Sequence, residues 1–322
     1  VFAAAPMRIV GLVGSQALQG TGDTRTPMYV SVVSNLLNIG LSVGLGLGIG
    51  PLPRLGIVGV GAATALSRTV NAVALLAAIR SGATAPAFAR PRDLTITRQL
   101  VAVSVPNIAE GMSTTLAEFP FNAILLGFGT EVTAAYHVGR RVYQQVGGPL
   151  YRSYSVAASV IVGQALGAGD ADRARFSGYG MAALGTLTLG LAGAVLFVAA
   201  PALASLFTED AATAGYAVAF TRTYAVALPF FGLSYGFTGA LRSAGDTRTP
   251  FYARLFSTLV FMLAVPYLVG VRLGYGLPAA YAGLAAMYAC RALINAVGFT
   301  WGGWAETAAS LIDERANVSE TD

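Results

Sequence analysis

Apolar residues run on for roughly 20 to 30 positions at a stretch along most of this chain, and short polar gaps separate the runs. The runs are continuous rather than alternating, and they are rich in Ala, Gly and Leu. That pattern predicts membrane-crossing helices and argues against strands. Nine spans are predicted, at about 1–19, 28–49, 56–80, 101–127, 134–165, 176–200, 216–241, 251–271 and 279–304. The gaps carry turn chemistry: "GPLPRLG" at 50–56, "ALGAGDADRAR" at 165–175 and "FTED" at 207–210.

Composition agrees with that pattern. Charged residues make up 11% of the chain, against about 25% in a soluble protein. Hydrophobic residues make up 55%, and the mean hydropathy is +0.64. The net charge of +5 does not indicate nucleic-acid binding, because the arginines are scattered between apolar runs. They sort by side instead. Arg25, Arg80, Arg90, Arg92, Arg98, Arg173, Arg175, Arg242, Arg248 and Arg315 fall in one set of gaps, and only Arg54 and Arg272 in the alternate set. The positive-inside rule then predicts that the first set and the acidic C-terminal tail face the cytoplasm of a multi-pass plasma-membrane protein.

One short stretch occurs twice. Ala17 to Tyr29 and Ala240 to Tyr252, both containing GDTRTP, are identical at nine of thirteen positions and lie 223 residues apart. Arg68 matches Arg291 at the same offset. Six spans separate the copies, so both loops lie on one side and the repeat is parallel, which predicts two lobes related by an axis along the membrane normal. A substrate path is expected between such lobes. The second half shows six spans from about Leu100, whereas the first half shows three, so about three N-terminal helices are expected to be missing from this sequence. The predicted organisation is the C-terminal half of a first lobe at 1–90, a cytoplasmic linker at 91–100, a six-helix second lobe at 101–304 and a cytoplasmic tail at 305–322. In the loop itself, Gly suits a tight turn, Asp and Thr suit helix capping, and Pro27 and Pro250 suit a first helical turn.

These motifs carry a family resemblance. "ALQGTGDTRTP" and "ALRSAGDTRTP" resemble the helix 4–5 and helix 10–11 loops of the multidrug and toxic compound extrusion (MATE) family. "SVIVGQALGAGDADRAR" resembles the end of its helix 8, "NLLNIGLSVGLGLG" its helix 5 and "GIVGVGAATALSR" its helix 6. The resemblance covers nearly the whole chain as family helices 4–12. It implies an all-α polytopic two-lobe bundle that exports cationic or amphipathic small molecules in exchange for H⁺ or Na⁺ by alternating access.

Only two acids lie well inside predicted spans, Glu110 and Glu118, and a charge in the bilayer is costly enough to mark each as a functional candidate. Asn107, Glu110, Thr114, Glu118 and Asn122 follow one another at helical steps of three and four, forming one stripe that must face protein or a cavity. Pro106 and Pro120 are expected to kink the helix at either end of the stripe. The following span carries Arg140, Arg141 and Arg152. A hairpin turning near Thr130 would set Glu118 level with Arg141 or Arg140, and Glu110 level with Arg152. Burial disfavours a charged carboxyl and a nearby arginine favours it, so the stripe reads either as coupling chemistry or as structural ion pairs. Tyr143, Gln144 and Gln145 are further cavity candidates, with Gln145 set beside Asn107, Thr114 and Asn122 in the expected substrate path. His137 suits an interfacial position. Phe119, Phe121, Tyr224, Phe230, Phe231 and Tyr235 suit packing, with stacking on flat cations as the functional option.

By the family resemblance, one branch's essential acids on helices 7 and 10 would fall near Thr114 and Phe231. Another branch's helix 5 Asn would fall at Asn38, with Ser42 where that branch has Asp. Asn38 is therefore a third coupling candidate. No metal site, catalytic group or cofactor beyond H⁺ or Na⁺ as coupling ion is expected. The single Cys290 and single His137 exclude disulfide and His-rich chemistry within the chain, and no span offers a nucleophile–base pair or HExxH spacing. The expected partners are the lipid bilayer and small organic cations, with the protein working as a monomer and not as an enzyme. Two rivals remain: a flippase for lipid-linked precursors, which would need a strongly cationic cavity, and a non-transporting scaffold.

Overall fold

Helices form where the apolar runs lie and stop where glycine, aspartate and proline interrupt them. In the computed structural model, which describes residues 4–49, 53–82, 84, 86, 94–207 and 210–320, eleven α-helices follow one another and no strand occurs among the described residues. They are α1 (Ala5–Gly20), α2 (Arg25–Leu47), α3 (Gly56–Arg80), α4 (Thr95–Leu126), α5 (Thr130–Val146), α6 (Gly148–Gly167), α7 (Ala171–Ser205), α8 (Ala211–Ser243), α9 (Arg248–Ser257), α10 (Pro278–Trp301) and α11 (Trp304–Glu320). After α9 the chain continues through two π-helical stretches, Thr258–Ala264 and Pro266–Arg272, as one apolar rod. Arg90 and Arg92, the start of the predicted linker and part of the 50–56 gap lie outside the described residues.

Among the described residues, six helical rods are long and apolar enough to cross a membrane: α2, α3, α7, α8, α9 with its π-helical continuation, and α10. The other three predicted spans differ for identifiable reasons. α1 has only 16 residues, α4 is diluted by its polar stripe, and the span predicted at 134–165 is broken at Gly147 into α5 and α6. The helix after the predicted linker starts earlier than expected, at Thr95, and both Pro106 and Pro120 lie inside α4, which continues as one helix past each. The predicted tail forms α11, anchored by Trp304, which is buried, stacks on Phe299 at 4.8 Å and donates from Nε1 to the Phe299 carbonyl at 2.7 Å.

The chain divides into two units, Val1–Arg92 and Asp93–Asp322. In the first, α1 and α2 pack on α3, with Leu18, Leu75 and Ile79 at the core. Two weak polar links join α2 to α3: Asn38 Nδ2 to Thr64 Oγ1 and Asn71 Nδ2 to Ser34 Oγ, both 3.4 Å.

The second unit is built around α8, which packs on α5, α6, α7 and α10 and is buried along most of its length. Its seam with α7 consists of small residues. A Cβ on Gly232 would run into the backbone of Gly185 and Thr186, and one on Gly236 would lie 2.7 Å from Ala182 Cα. Backbones approach this closely only where side chains are missing, and in a bilayer such van der Waals contact is a main source of helix association. Capping fixes the starts of both helices: Asp170 accepts from the Arg173 backbone N–H at 2.8 Å, and Asp210 from that of Thr213 at 2.7 Å.

The two GDTRTP loops adopt the same geometry. Gly22 and Gly245 take φ of 91° and 85°, a region that glycine enters without steric cost. Asp23 Oδ1 accepts from the backbone N–H groups of Arg25 at 3.1 Å and Thr26 at 3.0 Å; Asp246 Oδ1 accepts from Arg248 and Thr249 at the same distances. Pro27 and Pro250 occupy the third positions of α2 and α9, where no intrahelical N–H partner is needed. The loops thus serve as joints, as their composition predicts.

Candidate functional site

The polar stripe of α4 turns inward. Glu110 is buried, and Asn107, Thr114, Glu118 and Asn122 are part-buried. The two glutamates meet different partners. Glu118 Oε1 lies 2.5 Å from Arg140 Nη2, and its Oε2 accepts from Arg140 Nη1 at 2.7 Å, a bidentate pair with each side chain about a quarter exposed. Of the two predicted partners it is Arg140 that pairs, while Arg141 is exposed.

Glu110 does not pair with Arg152. Its Oε2 accepts from Arg242 Nη2 at 2.5 Å, and its Oε1 lies 3.1 Å from Arg254 Nε. The level-matching that works for Glu118 fails here because α5 ends at Val146. Beyond that point α4 packs against α9, and the α8–loop–α9 hairpin supplies one arginine from each of its helices. The first copy of the repeat has Gln19 and Ser31 at the equivalent positions, so the shared loop carries this charge only in its second copy.

A cavity of about 290 Å³ opens inside the second unit. Thr114 and Glu118 of α4, Arg140 and Gln144 of α5, Arg152 of α6, Arg254 of α9 and Arg291 of α10 give it polar lining. Its aromatic wall is Tyr136, Tyr143, Tyr151, Tyr224, Phe231, Tyr235 and Tyr288. Phe231 is at the centre of that wall, stacked on Tyr288 at 4.0 Å and on Tyr151 at 5.1 Å; Tyr143 stacks on Tyr224 at 4.1 Å. Tyr235 accepts from Arg254 Nη2 at 3.1 Å. Met262, in the first π-helical stretch, reaches the same space.

Other predicted positions lie elsewhere. Gln145 is exposed, and its neighbour Gln144 lines the cavity instead. Asn107 donates to the Val103 carbonyl at 3.0 Å and does not line the cavity, nor does Asn122. Asn38 belongs to the first unit, bonded to Thr64. His137 is exposed, next to Tyr136. Phe119 is 72% exposed and faces outward, whereas Phe121 is fully buried in the core. Thr114 and Phe231, the positions that the resemblance singles out, both line the cavity.

Two features escaped sequence reasoning. Arg291 was noted only as a repeat match, yet it is 6% exposed within α10, with Nε unpartnered and its guanidinium carbon 5.4 Å from the Tyr288 ring centre. Of the aromatic wall, the sequence reading takes Tyr143 as a cavity candidate and Tyr224, Phe231 and Tyr235 as packing residues, and passes over Tyr136, Tyr151 and Tyr288. A signal existed: Tyr136, Arg140 and Tyr143 recur at i, i+4, i+7 on α5, as do Tyr224, Phe231 and Tyr235 at helical spacing on α8.

Comparison with known proteins places this architecture. A probable multidrug resistance protein NorM from Thermotoga maritima is 28% identical over 94% of this chain and 65% of its own length. A multidrug resistance protein NorM from Burkholderia vietnamiensis is 30% identical over 88% of this chain and 62% of its own. The chain thus spans somewhat less than two thirds of the length of these relatives. A MATE crystal structure in the bent conformation superposes with a TM-score of 0.80 at 21% identity, covering 98% of this chain and 68% of that one. The MatE family model matches residues 106–268, which hold both glutamates, the α5–α6 break and α8. This multi-pass helical membrane protein belongs to the MATE family.

Proposed function

We propose that the protein is a secondary active exporter of amphipathic small molecules, coupled to an H⁺ or Na⁺ gradient through alternating access, in a cell membrane with its GDTRTP loops toward the cytoplasm. The observation that carries the reading is the Glu118–Arg140 pair on the wall of a tyrosine-lined cavity in a member of this family. An arriving cation competes with Arg140 for the carboxylate. Exchanging one partner for the other changes the charge that the cavity presents, and a ligand whose affinity differs between the two states is thereby coupled to the ion. Glu110, itself outside the lining, holds Arg242 and the cavity-lining Arg254 and serves as a structural tie. Names of the relatives, which describe multidrug resistance, agree with this class and not with an enzyme.

The test is gradient-driven transport of a fluorescent amphipathic dye by the protein in liposomes, with and without Na⁺, for wild type and Glu118→Gln. Transport that needs the gradient and is lost in the variant supports the reading; equal rates in both reject Glu118 as the coupling group. The lining favours one second reading, the flippase. Four arginines face a single glutamate, which is the cationic cavity that reading needs.

A further inference from the structure

We propose that the cavity of the second unit is a binding site for a small aromatic organic anion, a flat ring carrying a carboxylate or sulfonate. This deepens the exporter reading and rests on it.

The argument begins with an imbalance of charge. Arg140 is neutralised by Glu118, and Arg254 by Glu110, an acid that Arg242 shares. Arg152 and Arg291 also line the cavity, and neither has an acid within ion-pair distance among the described residues. Arg152 is exposed and solvates its own charge. Arg291 does not have that option. It lies near the middle of a 24-residue apolar helix, 6% exposed, with Nε unpartnered. An isolated buried charge is costly, and an ionisable residue at such a place in a membrane protein marks a functional site. The group that Arg291 lacks is an anion, and a guanidinium presents the planar fork that a carboxylate accepts.

The remaining wall specifies the rest of the ligand. The rings of Phe231, Tyr288 and Tyr151 pack on one another beside the Arg291 guanidinium and all three line the cavity, an aromatic wall for a flat ring. A cationic aromatic ligand would have to approach four arginines with one glutamate, already engaged, to receive it. The volume, about 290 Å³, is at the low end for small-molecule pockets and suits one or two fused rings. That size disfavours a whole lipid-linked headgroup.

The experiment uses three probes that share one ring system at charges −1, 0 and +1: 2-naphthoate, 2-naphthol and 2-naphthylmethylammonium. Each is titrated calorimetrically into the protein in zwitterionic nanodiscs at neutral pH. The expected result is naphthoate binding at least tenfold tighter than the ammonium, an at least tenfold loss in Arg291→Gln, and about a threefold loss in Arg152→Gln. Arg68→Gln, at the matching exposed position of the first half, should bind as wild type. Tighter ammonium binding, equal affinity for all three probes, no binding, or retention of affinity in both cavity variants each overturns the proposal. If Arg291→Gln fails to fold, Arg152→Gln, on an exposed residue, decides alone. Displacement of naphthoate by phosphatidylglycerol at lower concentration than by other organic anions overturns it in favour of a lipid headgroup. Failure of the exporter reading is separable: binding without gradient-driven transport removes that reading and leaves the site, whereas transport preferring the ammonium removes the site and leaves the exporter.

Discussion

Glu110 and Glu118 are two turns apart on one helix and do different work. Glu110 is buried, holds an arginine from each arm of the α8–α9 hairpin and does not line the cavity described above; Glu118 is a quarter exposed, holds one arginine from the neighbouring α5 and lines that cavity. The difference teaches that the cost of a membrane carboxylate does not by itself reveal its purpose. What separates a tie from a responsive group is whether an incoming ion has room to compete.

The comparison can be broken in several ways. The largest effect is expected from Glu110→Gln, which leaves Arg242 and Arg254 without their shared acid. Removing one partner of a buried pair costs about 3–5 kcal/mol, so thermal unfolding in detergent should shift down by several degrees. An unchanged midpoint would make Glu110 dispensable as a tie. Glu118→Gln should lower stability by less than about 1 kcal/mol, as expected for a partly solvated pair. It should nevertheless reduce gradient-driven transport at least tenfold; a stability loss equal to that of the first variant would erase the distinction.

Smaller effects come from the loop aspartates, which are ties of a third kind, held by backbone rather than by arginine. Asp246→Ala and Asp23→Ala should each fray the first turn of the helix that follows, as loss of a capping side chain does. Both carboxylates also meet the hydroxyl of the threonine three residues on, Asp246 Oδ2 accepting from Thr249 Oγ1 at 2.6 Å, so the two losses should be similar, and hydrogen exchange at the following amides would compare them. The least effect is that of acid. The backbone N–H of Thr26, first among the causes, holds the Asp23 carboxyl below its usual value. The cap is therefore intact above the ordinary aspartate range and is lost as pH falls through the lowered value; exchange at Arg25 and Thr26 should stay slow at neutral pH and rise only in strong acid. Protection already lost near pH 5 would contradict that geometry.

Much of this was legible from residues. The apolar runs located the helices, the repeated loop announced its own geometry, and the hairpin near Thr130 set Glu118 level with Arg141 or Arg140, of which Arg140 pairs, because these residues lie on continuous helix close to the turn. Glu110 was misassigned because "GGP" at 147–149 breaks the next span, and because its partners come from 132 and 144 positions away, a distance no local register can bridge. Arg291 was hidden for a related reason. An arginine in an apolar run is visible in sequence, but whether any acid reaches it depends on the packing of other helices.

The glycine seam between α7 and α8 also bears on how the protein will behave outside a bilayer. Backbone atoms touch there directly, so the contact does not depend on expelling water and has no side chain to rearrange. When lipid is exchanged for detergent, this pair should remain docked while looser helices loosen. It should appear as the protease-resistant remnant of a partly denatured sample, and it is the natural fixed reference for measuring movement elsewhere in its unit.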